Sequence, residues 1–200
     1  MSTDITLRSP TADEIHEFWR PASDAYGELV QDDEIERERP IIELERFVGA
    51  RHNDSWVATA GAFSFRMTVP GGEVGAGGIT GVAVRPDYRR QGILRQMMDW
   101  LFDDGRRRAE PVAILTASEA AIYQRFGFGQ ASAVSSFSID RAGMEFREPV
   151  DLGPDGAIRM VDTEEATELF ARVYEQVRLS IPGAVDRIEP KWRLWLVGDA

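Results

Sequence analysis

A tight turn between a strand and a long helix is the feature that most restricts how this chain can fold. Residues 82–94 read Val-Ala-Val-Arg-Pro-Asp-Tyr-Arg-Arg-Gln-Gly-Ile-Leu. A helix is predicted from about Arg90 to Asp104, with Gly105 as its stop. Its apolar residues share one face that must be buried against another element; they are Leu94, Met97, Met98, Leu101 and Phe102.

The segments before and after this strand and helix predict the other strands of a sheet. Residues 56–69 and 73–84 have strand character and enclose Pro70-Gly-Gly72, which predicts a hairpin with a bulge in its first strand. Thr11 and Glu14 have capping-box spacing ahead of a helix, and Ser118 is a predicted N-cap for a short helix ending at Phe126. Further strands are predicted at residues 5–8, 112–117 (buried on both faces) and 131–140. This order predicts an α/β (α+β) fold, a mixed central sheet with helices on both faces.

The returning strand of the hairpin is unusually rich in glycine, at Gly75, Gly77, Gly78 and Gly81. We expect a bulge there, or the close approach of another backbone. A dinucleotide-binding fingerprint is excluded because Thr80 stands where it requires glycine and because strand, not helix, follows.

The strand-cap-helix pattern of the N-terminus recurs after Gly153. A strand is predicted at 157–161 and a helix at 164–178, with Leu169, Val173 and Val177 on one face. We therefore expect a first domain at 1–148, a linker at 149–156, and the incomplete beginning of a related domain at 157–200. The chain is then a fragment of a longer protein, or its C-terminal part docks on a partner.

Composition excludes several classes of protein. The net charge of −11 disfavours nucleic-acid binding and favours cationic partners, although acidity also serves solubility. The only lysine, Lys191, has no preceding glycine loop, so a P-loop NTPase is excluded. Without cysteine, thiolate metal sites, disulfides and cysteine nucleophiles are excluded, and no metal is expected. No membrane span or secretory signal is visible, so we expect a cytoplasmic protein that binds neither membrane nor nucleic acid.

The turn before the long helix is suited to hold a diphosphate. The first helical turn has backbone N–H groups without intrahelical partners, and the helix dipole adds positive potential. Gly92 removes a side chain that would keep phosphate away, while Arg89 and Arg90 add fork-shaped cationic donors.

These motifs resemble a known family. Arg89-Arg-Gln-Gly92 after a Val-x-Val strand resembles the acetyl-CoA loop of the GNAT superfamily of N-acetyltransferases. Arg-Arg-x-Gly-Ile-Leu, followed by Ala117-Ser-Glu119 and the segment 122–129, is similar to the Eis-like (enhanced intracellular survival) acetyltransferases. The resemblance covers about residues 3–140. Leu94 departs from the general superfamily loop, which has Gly or Ala there, but the Eis-like group shares a bulky residue.

The resemblance implies a site for acetyl-CoA as co-substrate. Backbone groups of Val82, Ala83 and Val84 would pair with the pantetheine amides. The thiol end would lie near Ser118 and Glu119. The pyrophosphate would contact the turn and first helical residues: Arg89, Arg90, Gln91, Gly92, Ile93, Leu94 and Arg95.

Position alone favours a packing tyrosine at Tyr123, but the resemblance assigns it as the acid that protonates the departing thiolate. The family's base, a C-terminal carboxylate on a distant third domain, is not in this sequence, and Glu119 or a water chain could substitute. His16 and His52 are interpreted as solvated side chains rather than catalytic groups.

The leading hypothesis is an acetyl-CoA-dependent N-acetyltransferase for a cationic amine: an aminoglycoside-like compound, a polyamine or a lysine. A group of acidic residues would border the acceptor groove, or form a solvated acidic loop; they are Glu28, Asp32, Asp33, Glu34 and Glu36. The alternatives are a non-catalytic acyl-CoA-binding or regulatory module, and an assembly subunit. The resemblance implies a homo-oligomer, specifically a hexamer.

Overall fold

The computed structural model describes residues 5–27, 32–140, 142, 144, 148 and 158–197. The chain forms two compact units. The larger unit contains the residues up to Thr116 and those from Thr163 onward, and the smaller one is Ala117–Asp162. The predicted linker at 149–156 lies outside the described residues.

A five-stranded mixed sheet forms the larger unit, as the sequence predicted. The strands lie side by side in chain order; β1 to β4 are antiparallel and β5 is parallel to β4. Their bounds are β1 Ile5–Arg8, β2 Phe47–His52, β3 Ser55–Val69, β4 Gly72–Val84 and β5 Val112–Ile114.

Six helices belong to the larger unit and one to the smaller unit among the described residues. They are α1 Ile15–Phe18, α2 Arg20–Tyr26, α3 Asp32–Glu38, α4 Ile93–Arg107, α5 Ala120–Tyr123 (smaller unit), α6 Thr163–Arg178 and α7 Glu189–Val197. No helix in these described ranges is long and apolar enough to cross a membrane.

The core lies on both faces of the sheet. Phe47 and Val48 are consecutive in β2 and therefore point to opposite faces, yet both are fully buried. Ile15, Phe18 and Ile35 pack with Phe47 as one aromatic-rich cluster. The helix α4 buries Met97, Met98 and Leu101 of its predicted stripe. Leu94 and Phe102 are only half-buried, and Ile93, which the pattern did not include, is buried.

The predicted capping box at Thr11 and Glu14 is confirmed. The Glu14 carboxylate accepts hydrogen bonds from the Thr11 backbone N–H at 3.0 Å and from its hydroxyl at 3.1 Å. Arg8 and Arg51 also donate to this carboxylate, so the cap is tied to β1 and β2. The Arg8 guanidinium is the main reason that the pKa of Glu14 falls to about 2.

The bounds of α4 differ from the prediction at both ends. Arg90 and Gly92 have left-handed φ angles of 64° and 81°, so the helix cannot begin before Ile93. Gly105 does not end the helix; it lies inside, and the left-handed residue that ends the turn is Ala109, with φ of 56°. A Cβ on Gly105 would lie in ordinary van der Waals contact with Glu110, 3.7 Å from its Oε2.

The predicted β3–β4 hairpin is confirmed. The bulge predicted in the first strand is wrong, because Ser64 keeps a regular pairing with Gly77; the extra residue lies in β4, as its many glycines indicated. Val69 pairs with Gly72, and the register shifts between Thr59 and Gly61, opposite the left-handed Gly81. The strand glycines mainly admit side chains rather than another backbone. A Cβ on Gly78 would lie 2.2 Å from the Phe65 ring.

Three predicted strands are corrected. Residues 131–140 and 158–161 form no strand, because a strand needs a hydrogen-bonded neighbour and neither segment has one among the described residues. The strand at 112–117 ends at Ile114 and is half-buried, since β5 is at an edge of the described sheet. The helix predicted at 164–178 is confirmed as α6.

Candidate functional site

The turn between β4 and α4 presents a bare helix N-terminus. The first intrahelical hydrogen bond runs from Gln96 N to Gly92 O at 3.2 Å, so Ile93 and Leu94 have no carbonyl one turn earlier. A Cβ on Gly92 would project into open space, with nothing within 4 Å. Ile93 is buried, so only its backbone can face a ligand.

Exposed arginines surround this N-terminus. The side chains of Arg89, Arg90 and Arg95 are all at the surface. The left-handed backbone at Arg90 costs about 1 kcal/mol, and such strain clusters at functional sites. Amides, open space and guanidinium groups together fit a diphosphate.

The turn is held by contacts among its own residues and by a side chain from β2. Arg85 binds Asp87 at 3.0 Å and lies over the Tyr88 ring, 5.4 Å from its centroid. The Tyr88 hydroxyl and His52 Nδ1 are 2.7 Å apart. His52 is therefore partly buried and bonded to the turn, which corrects its interpretation as a solvated side chain. Gln91 donates from Nε2 to Asp87 O at 3.4 Å, within the turn.

The last part of β4 has an edge that no strand covers among the described residues. The β4–β5 pairing spans Ala76–Gly78 only, and β4 continues to Val84. Arg85 N donates to Val57 O, and Ala83 lies opposite Thr59. Because hydrogen-bonding directions alternate in an antiparallel pair, Ala83 directs its backbone groups to β3, whereas Val82 and Val84 direct theirs to the uncovered edge.

Two side chains already bind this edge. The Tyr26 hydroxyl donates to Val82 O at 3.0 Å, and Arg89 Nε donates to Val84 O at 3.3 Å. Sequence patterns alone gave no sign of Tyr26, because it comes from α2, far away in the chain. Both donors are on exposed side chains that a ligand could displace.

The smaller unit contains the other predicted site residues. Ser118 and Glu119 are exposed, and Glu119 rather than Ser118 directly precedes α5, with no side-chain capping bond there. Tyr123 is half-buried, and its ring packs edge-on against Phe128 at 5.9 Å between centroids. Gly127, with φ of 92°, ends the turn after the helix as predicted. The predicted site residues thus belong to both units.

The acidic residues predicted near the acceptor lie on α3, except Glu28, which is outside the described residues. Asp32 and Glu36 flank His16, at 3.0 Å from Nδ1 and 2.9 Å from Nε2. These hydrogen bonds, first that of Asp32, raise the pKa of His16. His16 is therefore paired rather than merely solvated. Asp33 and Glu34 are exposed on the same helix.

Comparison with known proteins identifies the family of this chain. The family model described as an acetyltransferase (GNAT) domain matches residues 6–131. An uncharacterized N-acetyltransferase of Streptomyces avermitilis is 38% identical over 178 residues, which cover 88% of this chain and 43% of the relative. N-acetyltransferase Eis of Mycobacterium tuberculosis is 31% identical over 195 residues, covering 94% of this chain and 48% of the relative.

A solved structure shares the fold over nearly the whole chain. Crystalline Eis1 from Mycobacterium abscessus superimposes with a TM-score of 0.76 and 31% sequence identity, covering 98% of this chain and 48% of that one. The present chain therefore spans about half the length of the relatives it matches.

Proposed function

Because this chain belongs to the GNAT family of acetyltransferases and resembles its Eis-like members, we propose that it transfers an acetyl group from acetyl-CoA to an amine of a cationic acceptor. The acceptor class would be an aminoglycoside-like compound, a polyamine or a lysine. The observation that supports this most is the turn at Arg90–Gly92, where left-handed backbone leaves an open helix N-terminus among exposed arginines.

The donor would bind along β4 and the turn. The amides of Ile93 and Leu94 and the guanidinium groups of Arg89 and Arg90 would hold the pyrophosphate. Gln91, Gly92 and Arg95 would complete the contact surface there. Val82 and Val84 would offer edge backbone groups to the pantetheine amides, as an added strand does, while the adjacent Ala83 supports the strand through β3. Ser118 and Glu119 would lie at the thiol end.

Acetyl-CoA supplies the thioester when bound, and the amine attacks it directly. The protein must then deliver a proton to the departing sulfur, and the phenol of Tyr123 is the group that we assign to this step. Its ring packs edge-on against Phe128. Glu119 or a water chain would accept the proton that the amine loses.

A cationic acceptor is supported by charge. The chain carries a net charge of −11, which raises the local concentration of polyamines and similar cations. Asp33 and Glu34 are exposed on α3 and would attract the acceptor. The paired carboxylates of Asp32 and Glu36 contribute less, because His16 partly neutralises them.

We also propose the assembly that the family resemblance implies, a homo-oligomer of subunits with further domains, the second beginning near residue 157. The relatives are about twice as long as this chain, which is consistent with additional domains. Sedimentation velocity of this chain checks the oligomer, and a monomer at all concentrations would contradict it for these residues.

Calorimetric titration with acetyl-CoA, combined with a thiol-release assay on a polyamine, tests the function. Gly92→Glu places a carboxylate in the phosphate position and should weaken binding by more than about tenfold, or about 1.4 kcal/mol. Gly71→Glu is the matched control, because Gly71 also has a left-handed φ, of 92°, and open space around its Cβ position. Equal loss in both variants would mean that strain, not the phosphate site, causes the effect.

The two assays separate the main hypothesis from its rival. Binding with thiol release identifies an enzyme. Binding of acetyl-CoA without thiol release on any amine would favour the non-catalytic acyl-CoA-binding module. The absence of binding would refute the assignment of the β4–α4 turn as the pyrophosphate site.

A further inference from the structure

The carbonyl groups of Val82 and Val84, on the edge of β4 that no described strand covers, both accept a hydrogen bond from a side chain of the same chain. The Tyr26 hydroxyl on α2 donates to Val82 O at 3.0 Å, and Arg89 Nε donates to Val84 O at 3.3 Å. A strand or ligand that pairs with this edge must place its own N–H groups about 2.9 Å from the same oxygens. Pairing with the edge therefore requires that both side chains move away.

The two side chains differ in what else they can bind. Tyr26 carries no charge and comes from a helix that is far from the turn in sequence. Arg89 belongs to the β4–α4 turn and precedes Gly92, the N-cap of α4, by three residues. A guanidinium binds phosphate more strongly than a single carbonyl, because it forms two charge-assisted hydrogen bonds with phosphate oxygens. A diphosphate at the N-terminus of α4 would therefore draw Arg89 away from Val84.

We propose that Arg89 is a specificity-determining residue that favours coenzyme A thioesters over pantetheine thioesters without a diphosphate. When the diphosphate binds, Arg89 leaves Val84 O, and that carbonyl becomes free for a pantetheine amide. A thioester without the diphosphate has to displace Arg89 and offers its guanidinium no new partner. This inference rests on the proposed donor site and adds to it a coupling between the two halves of the donor.

The size of the coupling follows from the one hydrogen bond that is exchanged. The net contribution of such a bond corresponds to about threefold to tenfold in an equilibrium constant. Saturating ADP, which supplies the diphosphate, should therefore lower the Kd for S-acetylpantetheine by about threefold to tenfold. Thermodynamic linkage requires that S-acetylpantetheine lower the Kd for ADP by the same factor, which gives an internal check.

The experiment is an NMR titration of the full 15N-labelled chain with ADP and S-acetylpantetheine, each alone and then in the presence of the other. Chemical-shift changes measure dissociation constants in the millimolar range, as expected for such fragments. Arg89→Met removes both the bond to Val84 O and a contact with phosphate. In this variant S-acetylpantetheine alone should bind about threefold to tenfold more tightly, ADP should bind more weakly, and the coupling factor should fall to about one.

Arg90→Met is the matched control, because Arg90 is the adjacent exposed arginine of the same turn. This substitution should weaken ADP binding but leave the Kd for S-acetylpantetheine and the coupling factor as they are in the unmodified chain. Tyr26→Phe tests the other bond to the edge. It should tighten S-acetylpantetheine binding without changing the coupling factor, since Tyr26 has no link to the diphosphate.

The outcomes separate this inference from the proposed function. Independent binding of the two probes to the unmodified chain would overturn the coupling and leave the donor site standing. A coupling factor that survives Arg89→Met would also overturn it, because another group would then be responsible. Binding of only one of the two probes in every variant would have the same consequence. Binding of neither the probes nor acetyl-CoA would refute the proposed donor site itself.

Discussion

Replacing Arg46 with methionine tests whether buried charges join α4 and β5 to the sheet. Arg46 ends the 3-10 turn before β2, and its side chain is 1% exposed. Both terminal nitrogens bind the Glu110 carboxylate, at 2.8 and 2.6 Å. Its Nε is 3.3 Å from Asp104 on α4, and Nη1 donates to the Ser64 hydroxyl at 2.5 Å.

The loss of unfolding free energy in Arg46→Met depends on which partners of Arg46 are left without a hydrogen bond. Methionine keeps most of the apolar stem of Arg46, so the loss of packing is small. Asp104 keeps Arg107 and Arg108 as partners, but Glu110, 8% exposed, loses both of its bonds to Arg46. Breaking a buried ion pair in this way costs about 3–5 kcal/mol of unfolding free energy.

Urea denaturation measures the effect. With an m-value of about 2 kcal/mol/M, the midpoint should fall by about 1.5–2.5 M. Arg106→Met is the control, because Arg106 binds Asp103 at 2.6 Å but is 74% exposed, and its loss should cost no more than about 1 kcal/mol. Glu110→Gln added to Arg46→Met should recover part of the loss. Similar midpoints for the two single variants would refute the role of burial.

Three further predictions concern the candidate site. Tyr123→Phe should lower kcat about a hundredfold or more while leaving the Kd for acetyl-CoA unchanged, and an unchanged kcat would contradict the acid role. Tyr26→Phe frees the carbonyl of Val82 and should tighten acetyl-CoA binding, by at most about fivefold in calorimetry; weaker binding would mean that the hydroxyl contacts the donor. His16→Gln should remove a pH dependence. The raised pKa of His16 makes its stabilisation fully present below the unfolded value of about 6.5 and lost as the pH rises through the folded pKa. The thermal midpoint of the chain with His16 should therefore fall towards that of His16→Gln as the pH rises from 6 to 9. A difference between the two midpoints that stays constant with pH would show that titration of His16 does not contribute to stability.

Elements with a strong local pattern were predictable from the sequence. The hairpin, the capping box and the body of α4 each depend on residues a few positions apart, and the structure confirms them. The ends of α4 were not predictable, because left-handed backbone at Arg90 and Ala109 carries no composition signal. Gly105 resembled a helix stop, but α4 continues through it to Arg107.

The sequence predicted the loop of the candidate site. It did not predict the side chains from distant segments that contact this loop and the adjacent strand. Gly92 and the neighbouring arginines form a contiguous motif, whereas Tyr26 and His52 reach the site from α2 and β2. His16 meets α3 across a shorter gap, with Asp32 lying 16 residues further along the chain. Such contacts depend on the packing of distant segments, and a single sequence without aligned relatives gives no signal for them.

The C-terminal segment belongs to the larger unit, and the proposal that it also begins a second domain has to agree with that placement. Hydrogen bonds to Arg66 and Thr68 tie residues 183–186 to β3, which explains their place in the larger unit. Yet α6 leaves Phe170, Val173 and Val177 about half exposed, although they share the apolar face of the helix. An amphipathic helix gains most of its stability by burying that face, so its exposure supports the proposal that further chain covers it. Because the ties to β3 use backbone groups of 183–186, a second sheet could cover this face of α6 without breaking them.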